Sequence, residues 1–225
     1  ARFCGPPQSG NGGYSCGVLG ARLGGPAEVT LRRPPPLDRP MRLERDARGL
    51  RMLDGEHLVA EAVPTPVTLE APLPPTLAEA TDASTRYPWR TDHPYPTCFV
   101  CGPRRAPGDG LCIFPGALPE RRIACAPFVP DATLADESGR VREEIMWAAL
   151  DCPSWFGFGC FERVEGLLLL GRLAARIDAR PRVGEPCVSV GWALDREGRK
   201  IRCGSALFSE QGELLAIAHA TWITL

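Results

Sequence analysis

The sequence lacks a strong net charge, a long apolar run and almost all lysine. Its 26 basic and 27 acidic residues leave a net charge of −1 at pH 7, which produces no long-range electrostatic field. Nucleic acid and anionic membranes are therefore unfavoured as partners. The basic residues are arginines apart from Lys200, a preference that we attribute to coding bias.

The chain opens without the apolar segment of a secretion signal. Its apolar runs, such as residues 167–170, are too short to span a bilayer. Ten cysteines are present, and most lie inside apolar runs, as Cys112, Cys125, Cys187 and Cys203 do. This usage is typical of reduced, buried thiols. The composition therefore predicts a cytoplasmic protein.

Two segments of the chain echo one another. Residues 49–62 and 204–218 both read as strand, turn and strand, and both turns carry Gly-Glu. Such an echo indicates that one module occurs twice. Eight prolines fall between positions 64 and 96, which excludes a central strand or a long helix there. We therefore predict a first half at 1–63, a proline-rich connector at 64–97 and a second half at 98–225.

Each predicted half is one helix followed by an antiparallel meander, which is an α+β arrangement. Asn11 is a plausible N-cap of the first helix, which Gly24 and Gly25 end. The second helix begins near Arg142, and Pro153 predicts a kink or a restart beside Asp151. Turn residues and apolar runs predict strands at 28–33, 39–45, 50–53, 58–63, 110–114, 122–127, 167–179, 186–194, 200–209 and 213–224, with a turn at 195–198.

Four segments together resemble the double hotdog proteins of the acyl-CoA thioesterase superfamily. They read FCGPP and GNGGY within residues 3–14, AEVTLRRP at 27–34, WAALD at 147–151 and GELLA at 212–216. The resemblance implies a tandem hotdog fold in which each half is a curved antiparallel sheet wrapped around a central helix. It also implies an acyl-CoA site between the halves, no cofactor and a homodimer, and the first half would lack the leading strand of that fold.

Asp151 is the candidate catalytic acid. The resemblance places the family's catalytic aspartate at this position, and the surrounding stretch 145–158 is otherwise apolar. Burial of a carboxylate raises its pKa and makes it a better base near neutrality. The alternative is structural, because Asp151 followed by Cys152 and Pro153 also fits the N-cap of a new helix.

Asn11, Gly12 and Gly13 are the candidate partners of the thioester. Glycines let a thioester approach the backbone amides, which can stabilise an oxyanion, although a glycine-rich turn into a helix is common and Asn11 also fits a cap. Tyr14 fits either a pocket wall or the core, and Trp155 and Phe156 are candidates for an apolar acyl slot.

Cys98-x-x-Cys101-Gly102 resembles a zinc knuckle, and Cys112 and Cys125 would complete four sulfur ligands. A tight turn with two buried thiols is the alternative that we favour, because the spacing to the other two cysteines is irregular.

The sequence leaves two main functions open. One is an acyl-CoA thioesterase with Asp151 as acid or base. The other is a non-catalytic acyl or CoA binder, because alanines dominate the strands 171–175 and 216–220, where fused thioesterases often carry polar partners of the aspartate. A hydratase is less favoured, since it would need a histidine soon after Asp151 and none occurs before His219.

Overall fold

The computed structural model of the protein describes residues 2–225 and has an α+β architecture with one large antiparallel sheet. The helices are α1 (Gly12–Gly20), α2 (Leu77–Ser84) and α3 (Glu143–Gly159). The strands are β1 (Ala27–Leu31), β2 (Arg42–Arg45), β3 (Leu50–Asp54), β4 (His57–Pro64), β5 (Gly116–Leu118), β6 (Ile123–Phe128), β7 (Leu168–Ile177), β8 (Cys187–Glu197), β9 (Lys200–Ser209) and β10 (Leu214–Thr224). None of these helices is long and apolar enough to cross a membrane.

The strand order is mirrored about the contact between β1 and β7, with β6 and β5 extending the sheet on one side only. It runs β2-β3-β4-β1-β7-β10-β9-β8-β6-β5, and β1 pairs with β7 from Ala27↔Ala175 to Thr30↔Arg172. On one side β1 pairs with β4, and β3 and β2 follow outward. On the other side β7 pairs with β10, and β9 and β8 follow outward. The simple meander expected from the sequence is therefore wrong, because β1 and β7 are flanked by β4 and β10 rather than by the next strand in the chain.

The two faces of the sheet bury different sets of side chains. On β10, Ala218, Ala220 and Trp222 join the core around α1 and α3, whereas Ile217 joins a second cluster on the opposite face. The helix α2 covers that outer face. It begins with a capping box in which Thr76 accepts the N–H of Glu79 and the Glu79 carboxylate accepts that of Thr76.

Helices α1 and α3 pack against each other unusually closely. A Cβ atom on Gly17 would lie 2.6 Å from the Cα of Glu144, and one on Gly20 would lie 2.3 Å from the ring of Trp147. Neither position has room for a larger residue. The low helix propensity of glycine is therefore compensated by the contact with α3 that it allows.

Helix α3 runs through Pro153 without a restart, so Asp151 lies inside the helix and is not an N-cap. Proline removes one backbone donor and weakens the ladder of hydrogen bonds around it. Hydroxyl groups reinforce the preceding turn. Ser205 donates to the carbonyl of Leu150 at 2.6 Å, and Ser154 donates to the carbonyl of Asp151 at 2.6 Å.

Two further expectations about strands are wrong. The stretch 110–114 is not part of the sheet, because its backbone instead donates from Leu111 to Phe99 and from Ile113 to Val100. The strand that precedes β6 in the chain and pairs with it is β5, and β6 pairs with β8 on its other side. The predicted turn 195–198 is shorter than expected, because β8 and β9 stay paired up to Glu197↔Lys200.

Candidate functional site

Asp151 lies in the middle of α3 and is only 2 % exposed. Its Oδ2 accepts a hydrogen bond from the Nδ2 of Asn11 at 2.9 Å and another from the backbone N–H of Gly13 at 2.8 Å. Asn11 is also the N-cap of α1, because its Oδ1 accepts the N–H of Tyr14 at 2.8 Å. The start of α1 is thus built around the carboxylate of α3, and the positive end of the α1 dipole faces it.

The other carboxylate oxygen of Asp151 is held by no neighbouring group that the structure describes. Oδ1 is buried and has no hydrogen-bond partner among the described residues. Burial raises the pKa of the Asp151 carboxyl to about 7, although the hydrogen bonds from Gly13 and Asn11 favour the charged form. A carboxyl whose pKa is raised towards neutrality in the wall of a cavity is a candidate for a functional acid or base.

Two adjoining cavities lie near this carboxyl, and the larger one is lined by Asp151 itself. The first has a volume of about 330 Å³, and Asn11, Gly12 and Asp151 are part of its wall. The second has a volume of about 110 Å³ and is mostly aromatic, with Trp89, His93, Tyr95, Trp155, Phe156 and Trp222 in its wall. Five residues belong to both cavities, namely Tyr95, Cys98, Cys152, Leu168 and Trp222. The two cavities therefore share part of their wall, and together they are called the cleft below.

The structure brings most of the sequence-derived site residues together. Asn11 and Gly13 contact the carboxylate of Asp151 directly, whereas Gly12 lies in the wall of the larger cavity. The N–H of Gly13 is already used by Asp151, which leaves Gly12 as the glycine of this pair that faces the cleft.

The aromatic candidates separate into two groups. Trp155 and Phe156 line the smaller cavity. Tyr14 is not among the described residues in the wall of either cavity, and its ring stacks on Phe3 with centroids 4.1 Å apart. His219 lies on β10 between Ala218 and Ala220, which face the helices, so its side chain points to the other face of the sheet.

Three cysteines form a cluster beside the acid. The Sγ atoms of Cys98, Cys101 and Cys152 all lie within 4.8 Å of one another, and all three residues are buried. Cys112 and Cys125, which the sequence suggested as the remaining metal ligands, are not part of this cluster. Cys125 belongs to the core on the outer face of the sheet. Groups of this kind can bind a soft metal ion.

Sequence reasoning missed two members of this region, Cys152 and His93. The Nε2 of His93 lies 3.2 Å from the Sγ of Cys101. Cys152 directly follows Asp151 in the sequence, and that adjacency was the one available signal. No spacing rule connects Cys152 with Cys98, because the helix and the turn that carry them meet only in the folded chain.

No protein-family model and no curated protein sequence matches the chain. Solved structures do match. A candidate thioesterase from Novosphingobium aromaticivorans is 11 % identical and aligns over 98 % of this chain and 90 % of its own, with a TM-score of 0.59. A candidate thioesterase from Ralstonia eutropha, related to phenylacetic acid degradation, is 17 % identical over 55 % of this chain and 94 % of its own, with a TM-score of 0.46.

A thioesterase superfamily protein is 14 % identical, with a TM-score of 0.45. The alignment covers 51 % of this chain and 54 % of that protein. The full-length match indicates that this chain has the fold of the hotdog proteins of the thioesterase superfamily. At such low identity the likeness concerns the fold, whereas the chemistry has to be argued from the residues of the cleft.

Proposed function

We propose that this protein hydrolyses a thioester of the acyl-CoA class, with Asp151 as the general base. The observation that carries the proposal is the buried carboxylate of Asp151, which Asn11 and the N–H of Gly13 hold through one oxygen in the wall of the larger cavity. A rigidly held carboxylate beside a cleft fits the task of aiming and deprotonating a water molecule.

The chemistry requires one group that accepts a proton from water and one hydrogen-bond donor that stabilises the oxyanion. Asp151 Oδ1 takes a proton from water, and the resulting hydroxide attacks the thioester carbonyl carbon. The charge that develops on the carbonyl oxygen needs an N–H donor, and Gly12, at the positive end of α1, is our candidate. Collapse of the tetrahedral intermediate breaks the C–S bond and releases the thiolate, which takes up the proton.

The two cavities suggest how the substrate is divided. The aromatic walls of the smaller cavity, including Trp155 and Phe156, suit an apolar acyl group. Arg32 and Arg33 lie in the wall of the larger cavity, where they suit the phosphate groups of CoA. The carbonyl would then lie at the junction of the cavities, next to Asp151.

We also propose that the chain is a tandem of two hotdog units, at 1–63 and 98–225, joined by the connector 64–97. The support is the mirrored strand order, in which α1 precedes β1-β2-β3-β4 and α3 precedes β7-β8-β9-β10 with the same pairing pattern. The close contact of α1 with α3 places the acid of one unit against the helix start of the other. Both units would therefore contribute to one site.

The test is hydrolysis of a panel of acyl-CoA substrates, followed by chromatography because ten cysteines would react with thiol reagents. We expect Asp151→Asn to lower kcat by about 10²- to 10⁴-fold, the usual contribution of a general base. Asp195→Asn is the matched control, since Asp195 is an exposed residue of the β8–β9 hairpin and its loss leaves the cleft unchanged. Equal turnover by wild type and Asp151→Asn would refute the proposed role.

A non-catalytic acyl or CoA binder is the second candidate function. It is favoured by Ala218 and Ala220, which face the helices from β10 and offer no polar partner to the acid. Calorimetry with a non-hydrolysable acyl-CoA analogue separates the two functions. Binding without any turnover of the panel favours the binder, and turnover that depends on Asp151 excludes it.

A further inference from the structure

We propose that Cys98, Cys101 and Cys152 bind one Zn²⁺ ion through their three sulfur atoms. This site lies beside the proposed catalytic carboxyl, but the proposal does not depend on the hydrolytic activity.

The positions of the sulfur atoms fit a tetrahedral ion. Zinc–sulfur bonds of about 2.3 Å place the sulfur atoms of a tetrahedral site about 3.8 Å apart. Cys98 Sγ and Cys152 Sγ are 3.7 Å apart, and Cys101 Sγ lies within 4.8 Å of both. Three buried sulfur atoms gathered this closely offer a soft ligand set to a single ion.

The turn that carries two of the ligands has the features of a metal-binding knuckle. The backbone N–H of Gly102 donates to the carbonyl of Cys98 at 3.0 Å, and a Cβ on Gly102 would lie 2.5 Å from the backbone nitrogen of Cys98. Only glycine therefore closes the turn.

Neighbouring polar groups support the sulfur atoms without replacing them. The backbone N–H of Tyr95 donates to the Nδ1 of His93 at 2.8 Å, so in neutral His93 the proton is on Nε2. Nε2 then donates to the Sγ of Cys101 across 3.2 Å. His93 is thus a partner of a ligand rather than a ligand itself. Such hydrogen bonds orient metal ligands in many sites.

The fourth position of the ion is then left to a molecule from the cleft. Cys98 and Cys152 line both cavities, and three protein ligands with one exchangeable position are the arrangement of an open zinc site. We assign this position to water. The ion would also tie the turn 98–102 to α3, next to Asp151, and would release the thiol protons when it binds.

The test begins with zinc content. The full-length protein is produced in zinc-supplemented medium, purified under reducing conditions without chelator or metal-affinity resin, and analysed by mass spectrometry for metals. We expect about one zinc per chain for wild type and a loss of most of it for Cys101→Ser and Cys152→Ser. Cys125→Ser is the matched control, because Cys125 is equally buried but lies on the outer face of the sheet. Wild type with no zinc, and no uptake of added Zn²⁺ by the reduced protein, would overturn the proposal.

A second measurement covers variants that fail to fold. X-ray absorption on zinc-loaded wild type should show three sulfur neighbours at about 2.3 Å and one lighter neighbour. Two sulfur neighbours or fewer would contradict the assigned ligand set. The other contrary outcome is wild type recovered with a stable disulfide between Cys98 and Cys101 or Cys152. If that protein takes up no metal after reduction, the cysteines form a redox pair and the zinc site is overturned.

Discussion

The contact between α1 and α3 predicts that Gly17→Ala destabilises the protein, although alanine is the better helix former. In an exposed helix this exchange would stabilise by about 1 kcal/mol. Here the new Cβ would lie 2.6 Å from the Cα of Glu144 and 2.8 Å from its carbonyl oxygen. Backbone atoms cannot turn aside as a side chain can, so the two helices would have to separate.

The expected size follows from these two opposing effects. Overpacking of a core typically costs about 1–3 kcal/mol, and two backbone contacts well inside normal van der Waals distance place Gly17→Ala at the upper end. After the gain in helix propensity is subtracted, we expect a net loss of roughly 1–2 kcal/mol. For a chain of this length that corresponds to a fall in Tm of roughly 2–8 °C.

The assay is equilibrium unfolding in urea, in which the midpoint should fall while the slope stays unchanged. Gly25→Ala is the control, because a Cβ there would meet no atom within 4 Å. We expect it to change stability by less than about 0.5 kcal/mol, as most surface substitutions do. A Gly17→Ala protein as stable as wild type, or more stable, would show that α1 and α3 leave room for a Cβ at Gly17.

Two further substitutions test local features of the fold. Thr76→Ala removes the side chain that caps α2, and we expect a loss of about 1 kcal/mol in the free energy of unfolding; Thr76→Ser should keep most of it, and equal loss in both would contradict a capping role. Ser205→Ala removes the buried hydroxyl that donates to Leu150 before the proline of α3, and thermal unfolding should show a loss of about 1–2 kcal/mol. No change there would mean that α3 does not need this donor.

The sequence was most informative where the signal is local. Asn11 was expected as an N-cap and is one, because capping depends on residues within one turn. The strand 200–209 was placed correctly, since its apolar pattern and flanking turn residues lie within one short stretch. The stretch 110–114 misled the same reasoning, because its apolar residues pack under a neighbouring turn and its backbone pairs outside the sheet.

The candidate site could be predicted only in part. Asp151 was identified through its resemblance to a family pattern and its apolar surroundings, and the structure places it against Asn11 and Gly13. By sequence Tyr14 fits either a pocket wall or the core, and in the structure its ring stacks on Phe3 and lines neither of the two cavities. The sequence shows which residues lie near Asp151 along the chain. It does not show on which side of α3 the cleft lies.

By itself the sequence determined the type of protein, namely a weakly charged α+β chain with two helix-bearing segments and a buried acid in the second. Only the tertiary structure decided the pairing of β1 with β7, the residues that line the two cavities and the meeting of Cys152 with Cys98 and Cys101. The physical reason is that caps, turns and apolar periods depend on neighbours along the chain. Strand partners and side-chain clusters depend instead on the packing of α1 against α3, which joins residues more than a hundred positions apart.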